Sequence, residues 1–113
     1  MKRYQLSKAG VSATEGIARF NGDKELYEET LKKFPNDDNY SKMCDAIEAD
    51  DVTAAFRAAH SLKGVAGNLS MNRLFEDIVP MVEILRAGSM EQVEMHLEKV
   101  KQDYQEVIDA IHA

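Results

Sequence analysis

The chain has 113 residues, 44% hydrophobic and 30% charged, with a net charge of −6. That is the balance of a single globular domain over residues 1–113 rather than of a two-lobed protein. It has no run of about 18 apolar residues to cross a membrane, no apolar stretch after the basic Met1-Lys2-Arg3-Tyr4-Gln5 to make a signal peptide, and no basic excess to favour nucleic acid. The one cysteine, Cys44, has no second thiol for a disulfide or a metal pair, and the expectation is a protein of the reduced cytoplasm.

In chain order, the spacing predicts a short helix over about 12–20, ended by Asn21-Gly22-Asp23, which also caps the next helix. Leu26, Tyr27, Leu31 and Phe34 then share one stripe. Pro35 stops that helix, and Asn36-Asp37-Asp38 caps a continuation bearing Tyr40, Met43 and Ile47. Asp50-Asp51 places negative charge at the start of a central helix over about 52–69. Ser70 to Asn72 offers caps for a further helix carrying Leu74, Ile78, Met81, Val82 and Leu85, with Gly88 as its stop and a kink or break expected near Ile78 and Val79 because of Pro80. Ser89 and Gln92 have the spacing of a capping box. Beyond them Val93, Leu97, Val100, Tyr104, Val107 and Ile111 alternate steps of four and three, the seam of an antiparallel bundle. Strand-like alternation is almost absent. The predicted fold is all-α, an antiparallel up-down four-helix bundle with a short extra N-terminal helix.

The central helix carries the candidate chemistry. With His60 at zero on a helical wheel, Ala55, Ala58, Leu62, Val65, Ala66 and Leu69 cluster between roughly 140° and 240°, the core side. His60 therefore faces water, and Phe56, Arg57, Lys63, Gly64 and Gly67 lie within roughly 60° of it. Lys63 is one turn away and can donate to an anion on the imidazole, although one lysine alone is more simply a solvated charge. Two glycines inside a helix cost about 1 kcal/mol each relative to alanine. Either glycine alone is explained by close helix packing. The pair beside an exposed histidine points to a flat patch where another surface or an anion comes near.

The rest of a self-sufficient catalyst is missing. His96 and His112 are roughly 160° apart on the last helix and make no metal pair, and there is no strand to carry a Gly-rich nucleotide loop. A general-base enzyme built on His60 would require a concave pocket and a second convergent group, whereas the expected site is a convex helix face. The histidine has the character of a nucleophile that borrows its catalyst from a partner.

The run Ala59-His60-Ser61-Leu62-Lys63-Gly64-Val65-Ala66-Gly67-Asn68-Leu69 resembles the signature of histidine phosphotransfer (HPt) domains, His-x-Leu-Lys-Gly followed by small and apolar residues. Gly22-Asp23-x-Glu25-Leu26-Tyr27 through Phe34 resembles the family's second helix, and Val82-Glu83 stands where the family often has Leu-Glu. The likeness covers about 16–88 in detail and the last helix by pattern only. Ser70, where many members have glycine, and Pro80 depart from it. The resemblance implies a phosphoryl carrier rather than an enzyme. His60 is the phosphorylated nucleophile and Lys63 its charge partner. Gly64 and Gly67 form the docking surface, with Phe56 and Arg57 at its edge. The implied partners are response-regulator receiver domains and a hybrid sensor histidine kinase. The implied Mg²⁺ belongs to the receiver, the chain itself binding no cofactor or metal, and a monomer is expected. The competing reading is an HPt-like adaptor that binds receivers or kinases without transfer. A free-standing protein and a domain excised from a hybrid kinase both remain compatible with the sequence.

Overall fold

The computed structural model describes residues 1–113. It holds seven helices: α1 (Arg3–Lys8), α2 (Ala13–Arg19), α3 (Lys24–Lys33), α4 (Asn39–Glu48), α5 (Val52–Asn68), α6 (Asn72–Arg86) and α7 (Val93–His112), with one 3₁₀ turn at Phe34–Asn36 between α3 and α4. Side-chain caps start three of them. Ser12 Oγ accepts from the Glu15 amide at 3.2 Å, Asp23 Oδ1 from Leu26 at 3.0 Å, and Asp51 Oδ1 from Ala54 at 3.1 Å. Each satisfies an amide that a helix start leaves without a partner.

Helices α4 to α7 form the bundle. Consecutive helices pack on one another through short turns, so they run antiparallel. Tyr40 of α4 and Tyr104 of α7 close the ring, stacked at 3.7 Å with their planes 1° apart, and Phe34 leans on the same Tyr104 at 5.6 Å. Burial pushes the Tyr40 hydroxyl well above its ordinary range and raises Cys44 in the same cluster, so the lone cysteine stays a thiol. Twenty-eight buried apolar residues make one continuous core.

Helices over about 12–20 and up to Pro35 are expected and present as α2 and α3, and a further helix, α1, precedes them. α1 forms where the sequence shows only a basic start; it buries Leu6 and packs against α7. The segment is stitched to the α5–α6 turn by a Val11–Met71 bridge, by the Ser12 amide donating to the Ser70 carbonyl at 2.9 Å, and by an Arg73 guanidinium N–H donating to the Lys8 carbonyl at 3.0 Å. Tyr27 of α3 is buried and donates its hydroxyl to the Leu69 carbonyl at 2.8 Å, tying α3 to the end of α5; burial pushes its pKa up to about 12.

Five helices end alike. Gly10, Asn21, Asp50, Ser70 and Gly88 adopt φ between 54° and 81°, and the amide of the next residue reaches back to a last-turn carbonyl. This is the Schellman stop, confirmed at Gly88 and unforeseen at Ser70. Ser70 therefore does not cap α6, whose start at Met71 has no side-chain cap. Its hydroxyl instead accepts from Arg19 Nε at 3.2 Å. The Ser89–Gln92 capping box does not form either. Ser89 Oγ accepts from the Glu91 amide at 3.0 Å, and Gln92 takes φ 63° before α7 begins at Val93.

Two other expectations are corrected. Leu26 is 47% exposed rather than on the core stripe, because α3 buries the side defined by Tyr27 and Leu31. Of the kink or break expected near Ile78 and Val79, the break does not occur: α6 stays helical through Pro80. Pro80 and Glu76, whose carbonyl loses its helical donor, are both exposed residues, so the interruption falls on the outer face of α6 rather than in the core.

On α7 the apolar seam is interrupted by Asp103, 5% exposed, whose Oδ2 has no partner. Burial, then Asp77 on α6, push its pKa up to about 7; Arg73 pulls it down and Glu106 adds to the rise. The fold thus keeps a proton that the unfolded chain releases. This group's contribution is present in full below its unfolded value near 3.8 and is lost as pH rises toward 7. Asp103→Asn is expected to flatten that slope and to gain about 1–3 kcal/mol at pH 8, as checked by urea unfolding at pH 5 and pH 8.

Candidate functional site

The site is the one strip of α5 that the bundle leaves open. α5 lies between α4 and α6, and Ala55, Ala58, Ala59, Leu62 and Ala66 are buried against them. Four of these five are alanines, so the neighbouring backbones come close and α5 sits deep in the bundle. His60 projects from the middle of this helix into water, as the wheel predicts.

Around His60 the predicted residues divide. Phe56, half-buried, sets its ring 5.6 Å from the imidazole at 40°. Arg57 is exposed and Lys63 half-buried, and neither belongs to an ion pair. No acidic residue occurs anywhere in α5, so in a chain of net charge −6 this helix is locally positive. Gly64 is exposed, and a methyl group on it would meet no atom within 4 Å. Gly67 differs. A Cβ there would lie 3.3 Å from the Phe75 ring of α6, so this glycine serves close packing within the chain. The expectation that both glycines belong to an open patch therefore holds for Gly64 and is corrected for Gly67.

Sequence reasoning missed Arg86. From the last turn of α6 its guanidinium lies over the Phe56 ring, 5.0 Å from the centroid, while its Nε is 3.4 Å from Glu83 Oε2. The contact joins two helices, and periodicity within one helix cannot reveal it.

Two cavities border α5 without including the histidine. One of about 430 Å³ runs past Arg57, Ala58 and Ser61 toward α4. One of about 670 Å³ runs past Val65, Asn68 and Leu69 toward α3. His60 lines neither of them and is exposed. No group of three His, Cys, Asp or Glu side chains is placed to hold a metal ion, and no helix is long and apolar enough to cross a membrane. The arrangement suits a nucleophile that must be reached by another protein.

The family model described as the Hpt domain matches residues 36–110. The chain belongs to this family. Hpt domains carry out histidine phosphotransfer in two-component signalling and are phosphocarriers rather than catalysts. No curated protein and no solved structure matches the chain. The matched Hpt region takes in α4, α5, α6 and nearly all of α7, the helix likened to the family by pattern alone. It leaves out residues 22–34, which had been likened to the family's second helix.

The two glycines give a direct comparison. Gly64→Ala is expected to stabilise the protein by about 0.5–1 kcal/mol, since alanine favours helix and nothing obstructs the methyl. Gly67→Ala is expected to fall short of that by about 1 kcal/mol, because Phe75 must shift. Denaturant midpoints of the two variants check this.

Proposed function

We propose that His60 accepts a phosphoryl group from the aspartyl-phosphate of a receiver domain and passes it to a second receiver, making the protein an intermediate of a phosphorelay. One observation carries this reading: within the Hpt match, a histidine stands free at the middle of an otherwise packed helix, with open space over Gly64 one turn away.

The chemistry follows from the face. The lone pair of Nε2, the ring nitrogen farther from the backbone, attacks phosphorus. The P–O bond to the receiver carboxylate breaks, and the carboxylate leaves with the electron pair. The proton on Nδ1 stays through the step and is then released to water. Lys63, at i+3, offsets the new charge. Gly64 and the strip around it admit the receiver's backbone, with Phe56 and Arg57 at the rim and Gly67 holding α6 close beneath. The receiver brings Mg²⁺ and the remaining catalytic groups, and a hybrid sensor kinase is the expected source of phosphate.

The test is incubation with Mg²⁺ and a panel of phosphorylated receivers. Wild type is expected to take up acid-labile label and His60→Gln none. Gly64→Ala is expected to be labelled about tenfold more slowly although more stable, since a misfit of about 1.4 kcal/mol at the contact costs that factor. Label on His60→Gln equal to wild type would sink the proposal. Binding of receivers without transfer would favour the adaptor reading.

A further inference from the structure

The cation over Phe56 has no evident structural duty. Phe56 is only half-buried, and Arg86 and Glu83 are side by side in solvent, with side chains 49% and 59% exposed. An exposed pair of this kind contributes little to stability, and a surface cation–π contact about 0.5–1 kcal/mol. The position is more informative than the energy. Phe56 contacts both the guanidinium, 5.0 Å from its ring centroid, and the imidazole, at 5.6 Å. Because both contacts are made to this one ring, the Arg86 guanidinium and the His60 imidazole lie no more than about 11 Å apart, within reach of a group carried on the imidazole once the Arg86 side chain swings off the ring. Arg86 approaches from α6, where the phosphoryl group would otherwise have only Lys63.

We propose that Arg86 is a second charge partner of the phosphoryl group on His60, parked over Phe56 and against Glu83 until the histidine is modified. This deepens the phosphotransfer reading and rests on it. A phosphoryl group carries up to two negative charges on three oxygens, and a guanidinium forks onto two oxygens where an ammonium offers a point charge. Breakdown of the P–N bond is promoted by protonation of the carrier, which a neighbouring cation disfavours. A cation on those oxygens therefore favours the charged carrier over its breakdown. Glu83 competes for the same guanidinium and sets how readily Arg86 leaves the ring.

The experiment uses phosphoramidate, which delivers a phosphoryl group to imidazole with loss of ammonia, and follows the full chain by ³¹P NMR. His60→Gln supplies the background from His96 and His112. Arg86→Gln is expected to raise the second ionisation of the His60 phosphoryl by about 0.5 pH unit and to shorten its half-life about threefold. Arg86→Lys is expected to restore part of both, and Glu83→Gln to move both the opposite way. A purely structural Arg86 would change the unfolding midpoint and leave the phosphoryl ionisation where it was. Arg86→Gln indistinguishable from wild type in ionisation and half-life would overturn the proposal while leaving phosphotransfer intact. Wild-type label no greater than that of His60→Gln would overturn both readings.

Discussion

Everything in this molecule follows from how α5 is packed. It is the only helix in contact with both α4 and α6 along its length, and it reaches them with alanine at four of its five buried positions. Small side chains bring helix axes together but bury little area each, so the larger apolar load falls on the neighbours. Met43, Leu74, Ile78, Met81 and Val82 are fully buried for this reason. The result is a central helix held on several sides with one narrow strip left free. A histidine on that strip is rigidly placed by the backbone and still open to a partner. A loop could expose it equally well but would not fix its direction.

The ends of the helices serve the same purpose. Left-handed residues end five helices, and the turns on either side of α5, residues 49–51 and 69–71, are short enough to keep α4, α5 and α6 antiparallel and in contact. Three of these five positions hold Asn21, Asp50 and Ser70 rather than glycine, and each accepts some backbone strain for the turn. Ser70 recovers part of it through Arg19. That bond and the Tyr27 hydroxyl on Leu69 both brace the C-terminal end of α5, so the N-terminal helices fix the helix that carries the site.

The bundle helices and the histidine face were legible because both depend on periodicity, which one chain displays directly. The bounds of α5, the buried residues of α6 and the exposure of His60 follow from spacing alone. Caps were less legible because serine, asparagine and aspartate satisfy either end of a helix. Asp23 and Asp51 start helices as expected, whereas Ser70 ends one and Ser89 closes a turn. What escaped entirely lies between helices. Gly67 is explained by Phe75, Arg86 by Phe56, and the buried Asp103 by Asp77 across the α6–α7 seam. Each pair joins residues whose sequence separation says nothing about their meeting. The hydrophobic spacing of α7 puts Tyr104 on the seam and Asp103 beside it, where an aspartate looks like a solvated charge until its neighbours are known.

The exposed setting of His60 also bears on the proposed phosphotransfer. Hydrolysis of a phosphohistidine requires water lined up with phosphorus and a base to take its proton. His60 lines neither of the two cavities beside α5, and α5 itself has no carboxylate to deprotonate that water. Cations are present instead, on α5 at Arg57 and Lys63 and on α6 at Arg86. On the proposed reading, these cations help retain a phosphoryl group, and exposure leaves it available to any receiver whose surface fits the open space over Gly64. A deeper pocket would position the group better for reaction but would admit water or exclude the partner. On the proposed phosphotransfer reading, specificity and catalysis fall to the incoming domain, and this chain has the task of holding a charged, reactive group in plain reach.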